Sequence, residues 1–396
     1  MNLRRLRRAS VAVVAGAAML LGCARPAGPP PSAAAPPAPP AAAPATAPGA
    51  SAAPSPPVGS AAPAAPASAA SAPSQPAAAG PLAPPVSLRL GIFGSLEDAG
   101  LYVALERGYF EAEGLNVDTV QSESAPKIIP FLASGDVEVA GLSQSPALFN
   151  AVERGVPIKL VADKGHIEAG HDDSALVLRP DLAQGGAVQT IADLRGRRIS
   201  TPGRGTALWG MLARGLATDG LTLADVDLQE LSQPDSLPAL ANGALDAAML
   251  LEPFISAVSA RGIGVKWKGT SEFAPGAQNG ELAYAPRFIQ TQPEAARRFL
   301  VAYLKGVRDY RDAFDRGADK EAIIDVLVKR TPVKDRALYA TMSPVGLDPN
   351  GQLAIAYLAS EQELYAREGL LTSLIDVASL VDSQYADYAV AQLGRR

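Results

Sequence analysis

Residues that carry most redox, metal and nucleophile chemistry are scarce here: 396 residues hold one cysteine, Cys23, and two histidines, His166 and His171. A single thiol excludes a disulfide within the chain and any all-cysteine metal site. No aromatic residue precedes Phe93, and no charge lies between Arg25 and Arg89. From Ala24 to Pro85 the chain is almost wholly Ala, Pro, Ser and Gly, a composition that cannot bury enough apolar surface to offset its ordering entropy. A disordered tether is expected over 23–85, with polyproline character and a reach of up to about 3.1 Å per residue. Motifs for common enzyme chemistry are missing too. "GLSQS" ends in Ser145 and makes no Gly-x-Ser-x-Gly elbow, there is no Walker loop, and "GRGTAL" lacks the third glycine of a dinucleotide loop. No cofactor is expected.

What is present begins with "MNLRRLRRASVAVVAGAAMLLGC". A basic start (Arg4, Arg5, Arg7, Arg8), a short apolar run from Val11 and a small residue before Cys23 describe a secretory signal over 1–22. The run is too short and wrongly flanked for a stable membrane span. Its ending, Leu20-Leu21-Gly22-Cys23, resembles the bacterial lipobox, which implies that Cys23 is lipidated and becomes the mature N-terminus. The alternative is ordinary cleavage with Cys23 as a bystander. A lipid on Cys23 would hold the folded body near a bacterial membrane, outside the cytoplasm, at the end of its tether. Removing the leader's four arginines, with no acid among its residues, shifts the net charge from −5 to −9. Such an acidic body argues against nucleic-acid binding.

From Val86 onward strand and helix signals alternate. "SLRLGIF" (87–93) is a short β-like run. "DAGLYVALERGYF" places Leu101, Ala104 and Leu105 at helical spacing, with Gly108 as the stop. "LNVDTV" (115–120) alternates like a half-buried strand. A helix at 127–133, a strand at 137–142, a helix opened by Pro146 and a strand at 158–162 complete the pattern. Strands alternating with helices of this length predict an α/β fold with parallel, doubly wound sheets.

One layout occurs twice. "LASGDVEVAG" from Leu132 is echoed by "LANGALDAAM" from Leu240, and "LYVALERG" by "LWGMLARG". Arg107 and Arg214 lie 107 positions apart, Leu132 and Leu240 108. A nearly constant offset points to two copies of one βα set; the competing explanation is that any two βαβ segments of common residues look alike. Two such lobes can face each other with the loops at their strand C-termini, where ligands bind in open α/β sheets.

In their order and spacing, "YVALERGYFEAEGLNVD", "LASGDVEVAG", "TIADLRGRRISTPGRGT", "LANGALDAAMLLEPF", "VGLDPNGQL" and "VDSQYADYAVAQLG" resemble the solute-binding proteins of ABC importers in the nitrate, sulfonate and taurine group. The resemblance runs from about Leu88 to Gly394. It implies a periplasmic-binding-protein fold of the second type: two lobes, joined by a two-crossing hinge, close on a small polar organic solute or oxyanion and deliver it to a permease with its ATPase. "ALVLRPDL" (175–182) and "LAYAPRFI" (282–289) hold equivalent places after each copy, which puts lobe 1 at 86–175 plus 280–396 and lobe 2 at 176–279. A monomer is expected. Two rival readings share the fold: an enzyme like the fungal thiamine-pyrimidine synthase, which would demand a cysteine-rich motif this chain lacks, and a sensor lipoprotein working without a transporter.

The cleft residues follow from loops that lead into helices. Gly94-Ser95-Leu96-Glu97, Ser143-Gln144-Ser145 and Gly203-Arg204-Gly205-Thr206 each stand before a helix start, where free N–H groups suit an anionic or strongly polar ligand. Ser143, Ser145 and Thr206 serve equally well as plain N-caps. Glu252 occupies the position that Gln144 holds in the first copy; it is either a cleft residue or an acid satisfying its own helix start. In a cleft it would favour a ligand with donors or positive charge, such as an amine or nitrogen heterocycle. These clues conflict: helix ends invite anions, whereas Glu97, Asp98, Asp172, Asp173 and Glu252 do not, and Arg204 is the one cation on those loops. Histidines five residues apart in "DKGHIEAGHDD", with Glu168, Asp172 or Asp173 nearby, match no familiar metal spacing. No metal site is expected; instead His166 lines the pocket or His171 caps the hinge. Trp209 either stacks on a planar ligand or fills the core. The expected ligand contacts are therefore Ser95, Glu97, Ser143, Gln144, His166, Arg204, Thr206, Trp209 and Glu252.

Overall fold

The computed structural model describes residues 80–122 and 125–396. The expected signal segment, Cys23 and the tether as far as Ala79 lie outside the described residues.

Among the described residues ten strands form two five-stranded sheets. The first has the order β2-β1-β3-β10-β4, from β1 (Val86–Ile92), β2 (Leu115–Gln121), β3 (Val139–Leu142), β4 (Lys159–His166) and β10 (Gln278–Tyr284). The second has the order β7-β6-β8-β5-β9, from β5 (Ser174–Leu178), β6 (Arg198–Thr201), β7 (Asp227–Glu230), β8 (Ala247–Leu251) and β9 (Val265–Gly269). Both orders follow one scheme, so the echo heard in the sequence has a counterpart in topology. Leu132 and Leu240 stand on the helices Ala125–Ser134 and Gln233–Ala241, which precede the matching strands β3 and β8.

The sheets are mixed rather than wholly parallel. β1 runs parallel to β2 and β3, and β6 parallel to β7 and β8, as alternating strands and helices require. β10 is antiparallel to β3 and β4, and β5 to β8 and β9. Each reversed strand is the one that arrives from the other sheet: the chain leaves the first sheet after His166 and enters the second at Ser174, then leaves the second after Gly269 and returns at Gln278.

Apolar burial explains where the helices sit. The helix Pro293–Arg316 opens with Pro at its first turn and ends at Gly317, whose φ of 77° is the left-handed conformation a helix C-terminus uses. Its apolar face, including Phe299, Leu300, Tyr303 and Val307, packs with the helices Ala99–Glu106 and Gln384–Leu393 on the first sheet. The second sheet carries two smaller apolar clusters, one around Leu176, Met211 and Met249 and one around Val177, Leu240 and Leu250. Helix Ala207–Ala217, which follows β6, packs across to the first sheet's core: Trp209 is 1% exposed and its ring lies 6.2 Å from Tyr365. Arg214 on that helix pairs with buried Glu361 at 2.9 Å. Among the described residues no helix is long and apolar enough to cross a membrane.

Candidate functional site

A cavity of about 790 Å³ opens between the sheets, lined by segments after the C-terminal ends of β1 (93–97), β3 (143–147), β6 (202–208), β7 (232–234) and β8 (251–254), with Asn279 on β10 and residues 331–333 from the C-terminal third. Loops at the ends of parallel strands collect there because each strand hands the chain to the next helix at the same edge. Much of the wall is apolar, with Phe93, Leu96, Leu208, Phe254 and Val333 among its residues.

Seven of the nine expected contacts line this cavity: Ser95, Glu97, Ser143, Gln144, Arg204, Thr206 and Glu252. His166 and Trp209 lie outside the wall. His166 closes β4 and turns its Nδ1 to Asp163 of the same strand at 3.1 Å, with Nε2 3.6 Å from Glu168. Burial alone would lower the His166 pKa, but Asp163, with Glu168 and Asp348, lifts it to about 9. Trp209 is one turn into its helix and faces the core. His171 sits in the first crossing, with Nε2 2.7 Å from Asp315.

Helix starts at the cavity carry acceptors, except that of Pro146–Glu153, where Ser145 makes no capping bond. Asp98 Oδ2 accepts from the backbone N–H of Phe93 at 3.0 Å and of Gly94 at 2.9 Å. Glu252 is 5% exposed; it accepts from Ser256 N and Ser256 Oγ, each at 3.0 Å, so it serves its own helix while forming part of the cavity wall. Thr206 Oγ1 accepts from Trp209 N, and Ser232 Oγ from Asp235 N. Arg204, exposed at the rim, donates its guanidinium to the carbonyl of Glu368.

Several of the acids expected at the cleft gather around a buried cation, Lys164, that sequence reasoning missed, as it missed Glu281. Lys164, fully buried on β4, places Nζ 3.1 Å from Asp98 and 3.7 Å from Glu97. Burial pushes Glu97 up to about 7 even though Lys164 pulls it down. Asp173 stands well above the usual carboxylate range because of burial and the nearby Glu97, Asp172 and Glu252; Glu281, buried on β10, stands well above it too, burial outweighing Lys164. Glu252 is raised by burial against its Ser256 hydrogen bonds. A usable signal existed in "VADKGH", where two charges follow the apolar Leu160-Val161-Ala162, but ending the expected strand at Ala162 left both outside it.

The family described as "NMT1/THI5 like" matches residues 96–313, more than half of the chain. A putative aliphatic sulfonates-binding protein of Bacillus subtilis (strain 168) is 24% identical over 316 residues, covering 77% of this chain and 88% of that protein. Among solved structures, the periplasmic aliphatic sulphonate binding protein SsuA from Escherichia coli superposes with a TM-score of 0.63 at 18% identity, covering 76% of this chain and 92% of that one. The desulfurization enzyme DSZB superposes at 0.58 with 15% identity, over 78% and 99% of the two chains. One fold thus serves both binding proteins and an enzyme.

Proposed function

The chain belongs to the NMT1/THI5-like family and is a solute-binding protein of the ABC-import type; we propose that it captures a small organic solute in the cavity between its sheets and presents it, closed, to a permease and its ATPase. One observation carries this reading. A single cavity receives side chains from both sheets, Glu97 and Gln144 from one and Thr206 and Glu252 from the other, so only a closed form can grip a solute from both sides. A ligand with that differential affinity shifts the open–closed equilibrium toward closure. The hinge in this proposal is the pair of crossings, 167–173 and 270–277, which lie within a few residues of the boundaries between lobe 1 (86–175 plus 280–396) and lobe 2 (176–279). A lipid on Cys23 and the tether after it would keep the capture body outside the cytoplasm at the membrane surface.

Capture rather than catalysis is the reading we favour for the cavity. The chain's one cysteine precedes the folded body, so no thiol nucleophile is available there. The cavity's own acids are also engaged structurally, Glu252 with its helix and Glu97 beside Lys164. Mass spectrometry of solute carried through native purification tests the proposal, followed by calorimetric titration of that solute against Gln144→Ala and Glu252→Ala. Each variant is expected to weaken binding about tenfold or more, the loss of roughly one hydrogen bond to a charged or polar group. Unchanged affinity in both would remove this cavity as the capture site.

A further inference from the structure

The two copies of the repeated layout use one arginine differently. In the first, Arg107 follows helix Ala99–Glu106 and pairs with Asp309 at 2.9 Å and with Asp319 at 3.1 Å. Asp309 stands on helix Pro293–Arg316, which packs on the same sheet. In the second copy Arg214, on helix Ala207–Ala217, turns to helix Ile355–Arg367 instead. Its Nη2 lies 2.9 Å from Glu361 and 3.0 Å from Ser360 Oγ, and its guanidinium stands over the Tyr357 ring at 4.6 Å. Leu208, Met211 and Leu212 on the other face of its helix lie in the second sheet's core, whereas Leu358 and Tyr365 lie in that of the first. The Arg214–Glu361 pair therefore joins the two lobes.

The contact is close along its length. The offset of 107 sets Gly210 opposite Val103 of the first copy, and a Cβ on Gly210 would lie 2.8 Å from Cδ of Glu361, whose side chain has no exposed surface. A residue without a side chain leaves the carboxylate its place. Toward the cavity, Arg204 donates to the Glu368 carbonyl, and a Cβ on Gly205 would lie 2.9 Å from the Pro146 ring. Tyr365, whose ring is 6.2 Å from that of Trp209, donates its hydroxyl to the carbonyl of Gln144 in the cavity wall at 3.3 Å. Backbone hydrogen bonds make helix Ala207–Ala217 move as one piece, so drawing Gly205 away from Pro146 to admit a solute also shifts Arg214 against Glu361. A buried carboxylate loses far more from a displaced partner than an exposed one does.

We propose that Arg214, Glu361 and Gly210 form a clasp that holds the lobes in the closed arrangement, setting the share of closed molecules and the rate at which captured solute escapes. They are positioning residues, since none of the three lines the cavity. The clasp rests on the reading of capture by closure. A smaller closed share lowers the apparent affinity in proportion, with every solute contact intact.

The test uses the full chain with Cys23→Ser and spin labels on Ser134→Cys and Asn242→Cys, two exposed positions, one in each lobe. Pulsed electron resonance reads the distance distribution in protein as purified, and again after retained small molecules have been removed by dialysis from urea. Arg214→Met, Glu361→Gln and Gly210→Ala are each expected to lower the ratio of short to long distances about fivefold or more. The double variant Arg214→Met with Glu361→Gln should lower it no further than the stronger single, because both break one contact. Gly210→Ala favours the helix and removes no hydrogen bond, so it decides the matter if the charge variants fold poorly. A merely structural role would lower the melting temperature and leave the ratio alone. Equal ratios in wild type and variants, or a shift toward the short distance, would overturn the clasp; closure itself stands if the wild-type distances still change when small molecules are removed. One distance common to every sample would overturn both.

Discussion

Glu97 has the most informative titration in the molecule, because its folded pKa of about 7 stands above the 4.5 of an unperturbed glutamate. The folded chain therefore holds this proton more tightly than the unfolded chain. Its contribution to stability is most favourable below pH 4.5 and declines as pH rises to 7; above that, an ionised Glu97 costs on the order of 3 kcal/mol relative to acid. Glu97→Gln is expected to be more stable than the wild type at pH 8 by roughly 2 kcal/mol, with the advantage gone near pH 4.5. Urea unfolding at the two pH values checks it, and a difference independent of pH would contradict the assignment. At this scale the sequence was partly legible. Loop residues before helix starts, such as Ser95, Gln144 and Thr206, reach the cavity because helix N-termini and strand ends share an edge. Buried partners such as Lys164 and Asp173 were illegible as a set, since what joins them is a crossing of sheets far apart in sequence.

Among elements, the contact between helices Ala99–Glu106 and Pro293–Arg316 depends on two glycines. A Cβ on Gly306 would lie 2.2 Å from the carbonyl oxygen of Gly100 and 2.8 Å from the nitrogen of Ala104. Both are backbone atoms, so the helices would have to separate. Gly306→Ala, a substitution that favours an isolated helix by up to about 1 kcal/mol, is expected here to destabilise by about 1–3 kcal/mol through overpacking. Thermal or denaturant unfolding reads the sign directly, and a stabilised variant would show that the helices do not meet this closely. The sequence showed the first of these helices through the spacing of Leu101, Ala104 and Leu105 and the stop at Gly108, but not which face of it meets the other. It also missed that β5 and β10 run antiparallel to their neighbours, because periodicity is the same in either direction and only the route of the chain between sheets sets the polarity.

Across the whole molecule, two sheets of matching strand order are linked by two crossings and share one cavity. The duplicated layout in the sequence made that architecture readable, because a repeat of about 107 residues implies two similar units with similarly placed loop ends. The position of helix Ala207–Ala217 was not readable. It follows a strand of the second sheet yet packs Trp209 beside Tyr365 and pairs Arg214 with Glu361, so any closure must pivot about these contacts or rearrange them. Distance measurement across the cavity addresses the central claim most directly: fluorophores at the exposed positions Ser134 and Asn242, in a chain with Cys23→Ser, would report energy transfer with and without the solute recovered from native protein. The capture account predicts two distance populations, with solute moving molecules from one to the other at the concentration where calorimetry shows binding. A single unchanged distance while solute is demonstrably bound would contradict it.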